Sequence, residues 1–360
     1  MLKRCFKLNK IVYRYILLSI CFLLAANTNA QVDSSFKIAF GSCGHQDHPL
    51  PIFNNIVAHQ PDLFIFLGDN IYGDTKEMDT LRSKYKLLSE KTSFQNLKEN
   101  VEIIATWDDH DFGWNDIGRH YEFKEESKNI FLDFFEEGYA SDRRKHEGIY
   151  HSYEYDHNGK IIQVILLDER TFRDDIKPYE GEYKNDRRYF YNLDYAPHAV
   201  SSKATMLGEE QWQWLEKELE KPAEVRIIGS GTQFGIEFNG YEAWANFPNE
   251  QLKFLNLIKK TRANGVLFIT GDVHYAEISK LEIENLYPIY DITASGLSST
   301  WHFATPNKYR IEGPIMENHF GLLSIKCGSI IPSIKAEIWD INDNQRIEYT
   351  IYLEELRFNK

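Results

Sequence analysis

No stretch of the sequence has the roughly 20 consecutive apolar residues that a membrane-spanning helix needs. The main apolar run, residues 15–26, follows a basic stretch and precedes small polar residues that end at Ala30. This order is typical of a secretory signal peptide, residues 1–30, with cleavage near Ala30. We therefore expect a secreted or periplasmic protein whose mature form has no stable membrane span, and a retained anchor is the alternative.

Cysteine is scarce, with four in 360 residues. Cys5 and Cys21 lie in the predicted signal peptide, which leaves Cys43 and Cys327 in the mature chain. Two thiols form at most one disulfide, so a small fold held together by several disulfides is excluded. Cys43 and Cys327 could pair in an oxidising compartment, or Cys43 could serve as a metal ligand.

Basic residues are fewer than acidic ones. The sequence has 41 Lys and Arg against 54 Asp and Glu, so its net charge is −13. Five of the basic residues and none of the acidic ones lie in residues 1–30, so the rest of the chain carries −18. A body this acidic repels nucleic-acid backbones and anionic lipid surfaces. We therefore expect no nucleic-acid partner, and the sequence does not define the oligomeric state.

Internal repeats, low-complexity tracts and Pro/Gly/Ser-rich linkers are also missing, so residues 31–360 are predicted to form a single domain. Apolar runs alternate with amphipathic stretches such as residues 208–219, which predicts an α/β sandwich. The predicted buried strands are residues 36–40, 63–67, 101–106, 161–167 and 266–270. The alternation typical of antiparallel strands occurs in residues 321–326, 334–339 and 346–353.

Each predicted buried strand is followed by a cluster of small or acidic residues. Ligands of α/β sheets collect at the carboxyl ends of the strands, so these clusters are candidate site residues. The densest cluster is Trp107-Asp108-Asp109-His110-Asp111. Its three carboxylates repel one another unless a cation or strong donors hold them. A solvated turn is the alternative interpretation.

The residue types at these strand ends favour a pair of metal ions. Asp272 and His274 lie two residues apart in an extended segment and so project the same way. Aspartate oxygens, an imidazole nitrogen and the sulfur of Cys43 favour a transition metal at one site over an all-oxygen Mg²⁺ or Ca²⁺ cage. Two metals about 3.5–4 Å apart can clamp both the attacking and the leaving oxygens of phosphoryl transfer. The clusters therefore support the hypothesis of a two-metal hydrolase.

In their order along the chain, these clusters resemble the motifs of the alkaline phosphatase D (PhoD-like) family of metallophosphoesterases. The matching segments are Gly41-Ser42-Cys43, Gly68-Asp69-Asn70-Ile71-Tyr72, Trp107-Asp108-Asp109-His110-Asp111, Leu167-Asp168-Glu169-Arg170 and Gly271-Asp272-Val273-His274. The resemblance implies a four-layer α/β/β/α sandwich with mixed sheets and a two-metal centre. The twin-arginine signal and extra N-terminal domain of longer bacterial members are expected to be missing. Glu169 departs from the family pattern, because many members have threonine there.

The resemblance also implies a set of metal ligands, namely Cys43, Asp69, Tyr72, Asp109, Asp272 and His274. The first metal, for which Fe³⁺ is the family's usual choice, would bind Cys43, Tyr72 and His274. Asp69 would bridge the two metals. The two remaining aspartates would bind the second metal, which is commonly Ca²⁺ in this family, with another divalent ion as the alternative.

The catalytic residue that the resemblance implies is His110, which would protonate the leaving-group oxygen. Asn115 and Arg170 fall where phosphate-contacting groups are expected, and Arg170 could instead pair with Asp168 or Asp174. The implied function is that of a secreted phosphoesterase acting on small or polymeric phosphate esters. It would hydrolyse phosphomonoesters, phosphodiesters or both by two-metal activation of a water nucleophile.

Three other functions fit parts of the sequence. One is a dedicated phosphodiesterase or phospholipase-type enzyme that acts on headgroups or polyol-phosphate polymers. Another is a non-catalytic surface binding protein on the same scaffold. The third is a carbohydrate hydrolase that uses paired carboxylates and needs no metal. Residues 173–198 are predicted to form a long surface excursion that could shape the substrate pocket.

Overall fold

Strands and helices alternate through most of a computed structural model that describes residues 35–182, 194–237 and 240–358. The strands are β1 (Phe36–Gly41), β2 (Leu63–Leu67), β3 (Glu102–Thr106), β4 (His151–His157), β5 (Lys160–Leu166), β6 (Lys177–Pro178), β7 (Tyr195–Ala196), β8 (Val225–Ser230), β9 (Val266–Thr270), β10 (Ala276–Leu281), β11 (Ile289–Ala294), β12 (Arg310–Ile315), β13 (His319–Lys326), β14 (Ser333–Asp340) and β15 (Gln345–Tyr352). The α-helices are α1 (Ile52–Ala58), α2 (Met78–Ser89), α3 (Thr92–Asn100), α4 (Asp109–Phe112), α5 (Lys124–Phe134), α6 (Gly208–Glu220) and α7 (Pro248–Thr261).

Two mixed sheets are built from these strands. The first has six strands in the order β15-β14-β13-β1-β2-β3, and the second has seven in the order β12-β10-β11-β9-β8-β5-β4. Strands β1, β2 and β3 run parallel in the first sheet, as do β5, β8, β9 and β11 in the second. The other neighbours within both sheets are antiparallel. Each sheet therefore has a parallel centre whose carboxyl ends lie at one edge.

Strand β2 shows how the sequence assigns its side chains to the two faces of the first sheet. Leu63, Ile65 and Leu67 belong to the core shared with the second sheet. Phe64 and Phe66 belong to the core shared with the helices that cover the outer face. Successive side chains of a strand point to opposite faces, so an uninterrupted apolar run fills both cores.

Helices cover the outer face of each sheet. Phe53 of α1 packs on Phe64 and Phe66 of the first sheet, with ring centroids 6.2 and 5.8 Å apart. Phe254 of α7 packs on Phe268 of the second sheet, with centroids 5.1 Å apart. The layers are therefore helix, sheet, sheet and helix, and the predicted four-layer sandwich with mixed sheets is confirmed.

The boundaries of the eight predicted strands agree with the structure to within two residues, and the predicted helix at residues 208–219 is α6. Strands β4, β8, β10, β11 and β12 of the second sheet were not predicted. Strands β13, β14 and β15 pair antiparallel at one edge of the first sheet, as their alternation predicts. In the described part of residues 173–198, β6 and β7 form a short antiparallel ladder. Residues 183–193 of that excursion lie outside the described residues.

The predicted signal peptide, residues 1–30, also lies outside the described residues. The described residues from Phe36 onward form one compact unit. None of the helices in the described ranges is long and apolar enough to cross a membrane.

Hydrogen bonds join the two sheets where their parallel strands end. The hydroxyl of Thr106, at the end of β3, donates to the carbonyl oxygen of Leu167 after β5 at 2.6 Å. The backbone amide of Ser42, after β1, donates to the carbonyl oxygen of Ala294 at the end of β11 at 3.2 Å. The loops that follow the parallel strands of both sheets therefore meet at one edge of the sandwich.

Candidate metal centre

Two groups of ligand atoms converge at this edge. In one group, Cys43, Asp69 and His274 each offer an atom, and the three atoms lie within 4.8 Å of one another. In the other, Asp69, Asp109 and His110 do the same. Asp69 belongs to both groups, so its carboxylate lies where a bridge between two ions would be.

The thiol of Cys43 and the phenol of Tyr72 both lie against the carboxylate of Asp69. The Cys43 Sγ atom lies 3.3 Å from Asp69 Oδ2, and the Tyr72 hydroxyl lies 3.4 Å from the same oxygen. Burial raises the pKa of the Cys43 thiol, and burial with the nearby Cys43 and Asp69 raises that of Tyr72. Without a cation both groups stay protonated and donate to Asp69, whereas a bound cation would favour their anionic forms.

The orientation of His274 leaves one ring nitrogen available to a metal. Its Nδ1 lies 2.9 Å from the carbonyl oxygen of Ser299, so Nδ1 carries the proton and Nε2 has a free lone pair. The backbone amide of His274 donates to Ser295 Oγ at 3.0 Å, and Ser295 Oγ lies 3.2 Å from Cys43 Sγ. Ser295 therefore ties the loops of two proposed ligands together.

Buried carboxylate oxygens without partners indicate where cations fit. Within the described residues, Asp69 Oδ1 and Asp109 Oδ1 are buried and accept no hydrogen bond. Burial and the neighbouring Cys43 raise the pKa of Asp69. Leaving a buried acceptor unsatisfied costs about 1–3 kcal/mol, and a cation would remove this cost. The oxygen, nitrogen and sulfur donors therefore fit a pair of metal ions.

The carboxylate of Asp109 contacts a backbone amide and lies near the positively charged side chain of Arg170. Its Oδ2 accepts from the amide of Asp116 at 2.7 Å. Burial disfavours the carboxylate, but Arg170 and His110 outweigh burial and lower the pKa of Asp109 to about 2. Asp109 is therefore ionised throughout the physiological pH range, as a metal ligand must be.

Asp272 is not a member of either group. Its carbonyl oxygen lies 3.7 Å from Cys43 Sγ, which places its backbone at the centre. Burial and the negative charges of Asp108 and Glu242 raise the pKa of its carboxyl well above the usual range. A second cation nearby would relieve that repulsion.

Strained backbone accompanies four of the proposed ligands. The φ angles are 58° at Cys43, 49° at Asp69, 72° at Asp272 and 58° at His274. Residues other than glycine rarely adopt positive φ, and each such residue costs about 1–3 kcal/mol unless its surroundings enforce it. Such strain is concentrated at functional sites, so its presence at all four positions supports a functional role for these loops.

His110 is held by a carboxylate that the sequence analysis missed. Its Nδ1 lies 2.8 and 2.9 Å from the two carboxylate oxygens of Asp74, which leaves Nε2 free. Burial favours the neutral ring, but the charges of Asp69, Asp74 and Asp109 raise the pKa of His110 to about 11. The only sequence signal for Asp74 was its position two residues after Tyr72, in a segment that otherwise predicts a turn.

Arg170 is fully buried and its guanidinium faces carboxylates. It donates to Asp108 and, at 2.8 Å, to both oxygens of Glu242. Its backbone amide, rather than its side chain, donates to Asp168 at 3.0 Å, and Asp174 pairs with Arg119 at 2.6 Å. The alternative that the Arg170 side chain pairs with Asp168 or Asp174 is therefore wrong, because Asp108 and Glu242 are closer to it.

Asn115 is exposed at the rim of the centre. Its side-chain amide donates to Asp116 Oδ2 at 2.8 Å, and its backbone amide donates to Asp74 Oδ1 at 3.2 Å. Asp109, Asp116 and Glu242 form a further group with ligand atoms within 4.8 Å. Asp116 and Glu242 are site residues that no sequence motif indicated.

Cys43 and Cys327 are both buried free thiols. The alternative of a disulfide between them is therefore wrong, and the sulfur of Cys43 is available to the centre.

The sequence matches a known protein family and a curated relative. A family model described as PhoD-like phosphatase matches residues 38–308. The sequence is 24% identical over 296 residues to alkaline phosphatase D of Bacillus subtilis (strain 168), a match that covers 68% of this chain and 47% of that protein. The chain thus spans about half the length of this curated relative.

Solved structures share the fold. A structure of PhoD has a TM-score of 0.63 at 17% identity, covering 88% of this chain and 72% of that one. A dimetal phosphatase from Danio rerio has a TM-score of 0.51 at 14% identity, covering 91% of this chain and 100% of that one. GAP50, the anchor in the inner membrane complex of Plasmodium, has a TM-score of 0.52 at 14% identity, covering 91% of this chain and 90% of that one.

Proposed function

The chain belongs to the PhoD-like phosphatase family, and on that basis we propose that it is a phosphoric ester hydrolase with a two-metal centre. Its substrates would be phosphomonoesters, phosphodiesters or both. The observation that carries the proposal is the position of Asp69, whose carboxylate is common to two groups of ligand atoms. Secretion through the predicted signal peptide and a single domain over residues 31–360 are part of the same proposal.

The first metal would be held by Cys43, Tyr72 and His274, and the second by Asp109 and Asp272, with Asp69 between them. When bound, the cations would supply positive charge to the phosphate and lower the pKa of a water so that it can attack phosphorus. The buried oxygens of Asp69 and Asp109 that accept no hydrogen bond within the described residues support this assignment. Fe³⁺ in the first position and Ca²⁺ or another divalent ion in the second would suit the donor types.

The proposed role of His110 is to protonate the leaving-group oxygen. Asp74 holds Nδ1, so the ring presents Nε2 as the atom that carries the transferred proton. Asn115 is the proposed phosphate contact at the rim, because its side chain is exposed. Arg170 is the other proposed phosphate contact, and its Nη2 lies 3.9 Å from Oδ1 of the proposed ligand Asp109.

Hydrolysis by the purified chain tests the proposed function. We expect both a phosphomonoester and a phosphodiester, or one of the two, to be hydrolysed, and we expect a strong chelator to abolish the activity because the donor set needs its cations. The measurement is the rate of phosphate or alcohol release before and after chelation, and after metal is restored. A rate on diesters alone would favour the dedicated phosphodiesterase. Full activity in metal-free protein, or no activity on any ester, would contradict the proposal.

The visible spectrum tests the identity of the first metal. Fe³⁺ bound by a thiolate and a phenolate absorbs visible light, so we expect a coloured protein with about one iron per chain. Cys43→Ser should shift or weaken the band, while Cys327→Ser, which changes the other buried thiol, should leave it intact. Elemental analysis and the absorption spectrum of all three proteins are the measurements. An active but colourless, iron-free preparation would show that another ion occupies this position.

A further inference from the structure

Three aromatic side chains beside His274 form a surface that we call the aromatic wall: Tyr241, Trp301 and Phe303. The ring centroids of Tyr241 and Trp301 lie 5.1 Å apart, those of Trp301 and Phe303 5.2 Å, and those of Tyr241 and Phe303 6.3 Å. Trp301 also stacks on the ring of His274, with centroids 5.1 Å apart and an interplanar angle of 29°. The wall therefore begins at a proposed metal ligand and extends away from it.

The outer part of the aromatic wall is open to solvent. The Phe303 side chain is 42% exposed, and Tyr241 and Trp301 are only half-buried. Single exposed hydrophobic residues are common on protein surfaces, but adjoining ones next to a polar centre are typical of ligand sites. None of the roles proposed for the metal centre uses these three rings.

Hydrogen bonds hold the loop that carries the wall in place. The backbone amide of Trp301 donates to the carbonyl oxygen of His274 at 3.0 Å. At the far end of the loop, the hydroxyl of Thr305 lies 2.8 Å from that of Tyr275, and Arg310 donates to the carbonyl oxygen of Thr305 at 2.6 Å. A ligand that contacts the wall therefore meets a loop that is tied down at both ends, which reduces the entropic cost of binding.

We propose that the aromatic wall binds the alcohol part of the substrate and selects esters in which that part carries a flat aromatic or heteroaromatic ring. This inference rests on the proposed phosphoesterase function. Because Trp301 stacks on His274, the wall lies within reach of an ester group on a phosphate held at the metal centre. Aromatic rings prefer offset-stacked or edge-to-face contacts at centroid distances of about 4.5–7 Å. The near-parallel pair of Trp301 and Phe303, at 15°, and the tilted Tyr241 offer both kinds of contact.

Phe303→Ala is the variant that tests the wall, because Phe303 is its most exposed member and is not a proposed metal ligand. We expect KM for 1-naphthyl phosphate to rise roughly three- to tenfold, since an aromatic pair contributes an effect of that size. We expect kcat/KM for glycerol 2-phosphate, which has no ring, to change less than about twofold, because a small polyol gains little from aromatic contact. The measurement is steady-state kinetics of the metal-loaded protein on both esters.

A matched control is Tyr352→Ala. Tyr352 is 44% exposed, close to the value for Phe303, but it ends β15 at the edge of the first sheet. We expect its loss to alter neither substrate's kinetics. Equal effects of Phe303→Ala on both esters, or no effect on either, would overturn the inference.

Direct binding separates a failure of this inference from a failure of the proposed function. Calorimetric titration of the wild-type protein with phenylphosphonate and methylphosphonate should show a preference for the ring, and Phe303→Ala should remove it. If the wild-type protein hydrolyses neither ester, the proposed function fails, and the titration still decides the role of the wall. No preference for phenylphosphonate, or tighter binding of octylphosphonate, would overturn the inference, and the latter result would indicate a lipid chain instead.

Discussion

Asp69→Asn is expected to remove metal and activity together, with kcat falling by about 10³-fold or more. The carboxylate of Asp69 is the one ligand common to both groups of donor atoms, and its Oδ1 is buried without a partner among the described residues. An amide of the same shape cannot supply negative charge to two cations. The measurements are the metal content per chain and the rate of ester hydrolysis.

The control for Asp69→Asn is the same chemical change at an exposed position. The Asp79 side chain is fully exposed in α2, so Asp79→Asn should keep both metal and activity. The Asp69→Asn protein should still fold. Burial of the Asp69 carboxylate without a cation is unfavourable, and a neutral amide of the same shape does not carry that cost. Circular dichroism checks the fold of both variants. Retention of both metals by a folded Asp69→Asn protein would contradict the bridging role.

His110→Ala is expected to lower kcat/KM by a factor that depends on the leaving group of the substrate. General acid catalysis contributes about 10²–10⁴-fold, so we expect a loss of that size for alkyl phosphates, whose leaving oxygen needs a proton. Nitrophenyl phosphates have a stable leaving anion and should lose about tenfold or less. Metal content should be unchanged, because His110, although its ring lies in the second group of possible ligand atoms, is proposed to act as the acid and not as a ligand. The measurement is kcat/KM over a series of leaving groups.

Two further variants define the role of His110. Asp74→Asn should show the same dependence on leaving group with a smaller loss, because Asp74 holds Nδ1 of His110 at 2.8 Å without contacting the substrate. His146→Ala, at a half-buried histidine between α5 and β4 that stacks on Tyr150, should have no effect on this dependence. Equal losses of His110→Ala on alkyl and nitrophenyl esters would argue against the acid role.

Much of the fold could be predicted because its signals are local. The apolar run at residues 63–67 is β2, and the turn that follows it contains Gly68, with φ of 97°. A Cβ atom at Gly68 would lie 2.4 Å from Cβ of Asp108, so this close approach of two strand ends needs glycine. The motifs after β1, β2, β3 and β9 therefore marked the edge of the sandwich where the candidate centre lies.

Other parts of the site could not be predicted from local patterns. The sequence motif assigns Arg170 to the phosphate, with pairing to Asp168 or Asp174 as the alternative, whereas its guanidinium donates to Asp108 and Glu242, which are 62 and 72 residues away in the chain. Asp168 instead accepts hydrogen bonds from the backbone amide of Arg170 and from the indole of Trp107. Such partners depend on which strands are neighbours across the two sheets, and spacing along the chain does not contain that information.

The amino-acid sequence by itself determined eight of the strands, the α/β class and the chemical types of the donors, because apolar periodicity and strand-end motifs act over a few residues. The tertiary structure decided that Asp69 lies between two groups of ligand atoms, that Asp74 holds His110, and that Trp301 stacks on His274. These contacts join loops from different strands, and they exist only because the carboxyl ends of two parallel sheet centres meet at one edge. The physical reason is that packing of the two sheets, rather than the local preference of any residue, sets the distances between these side chains.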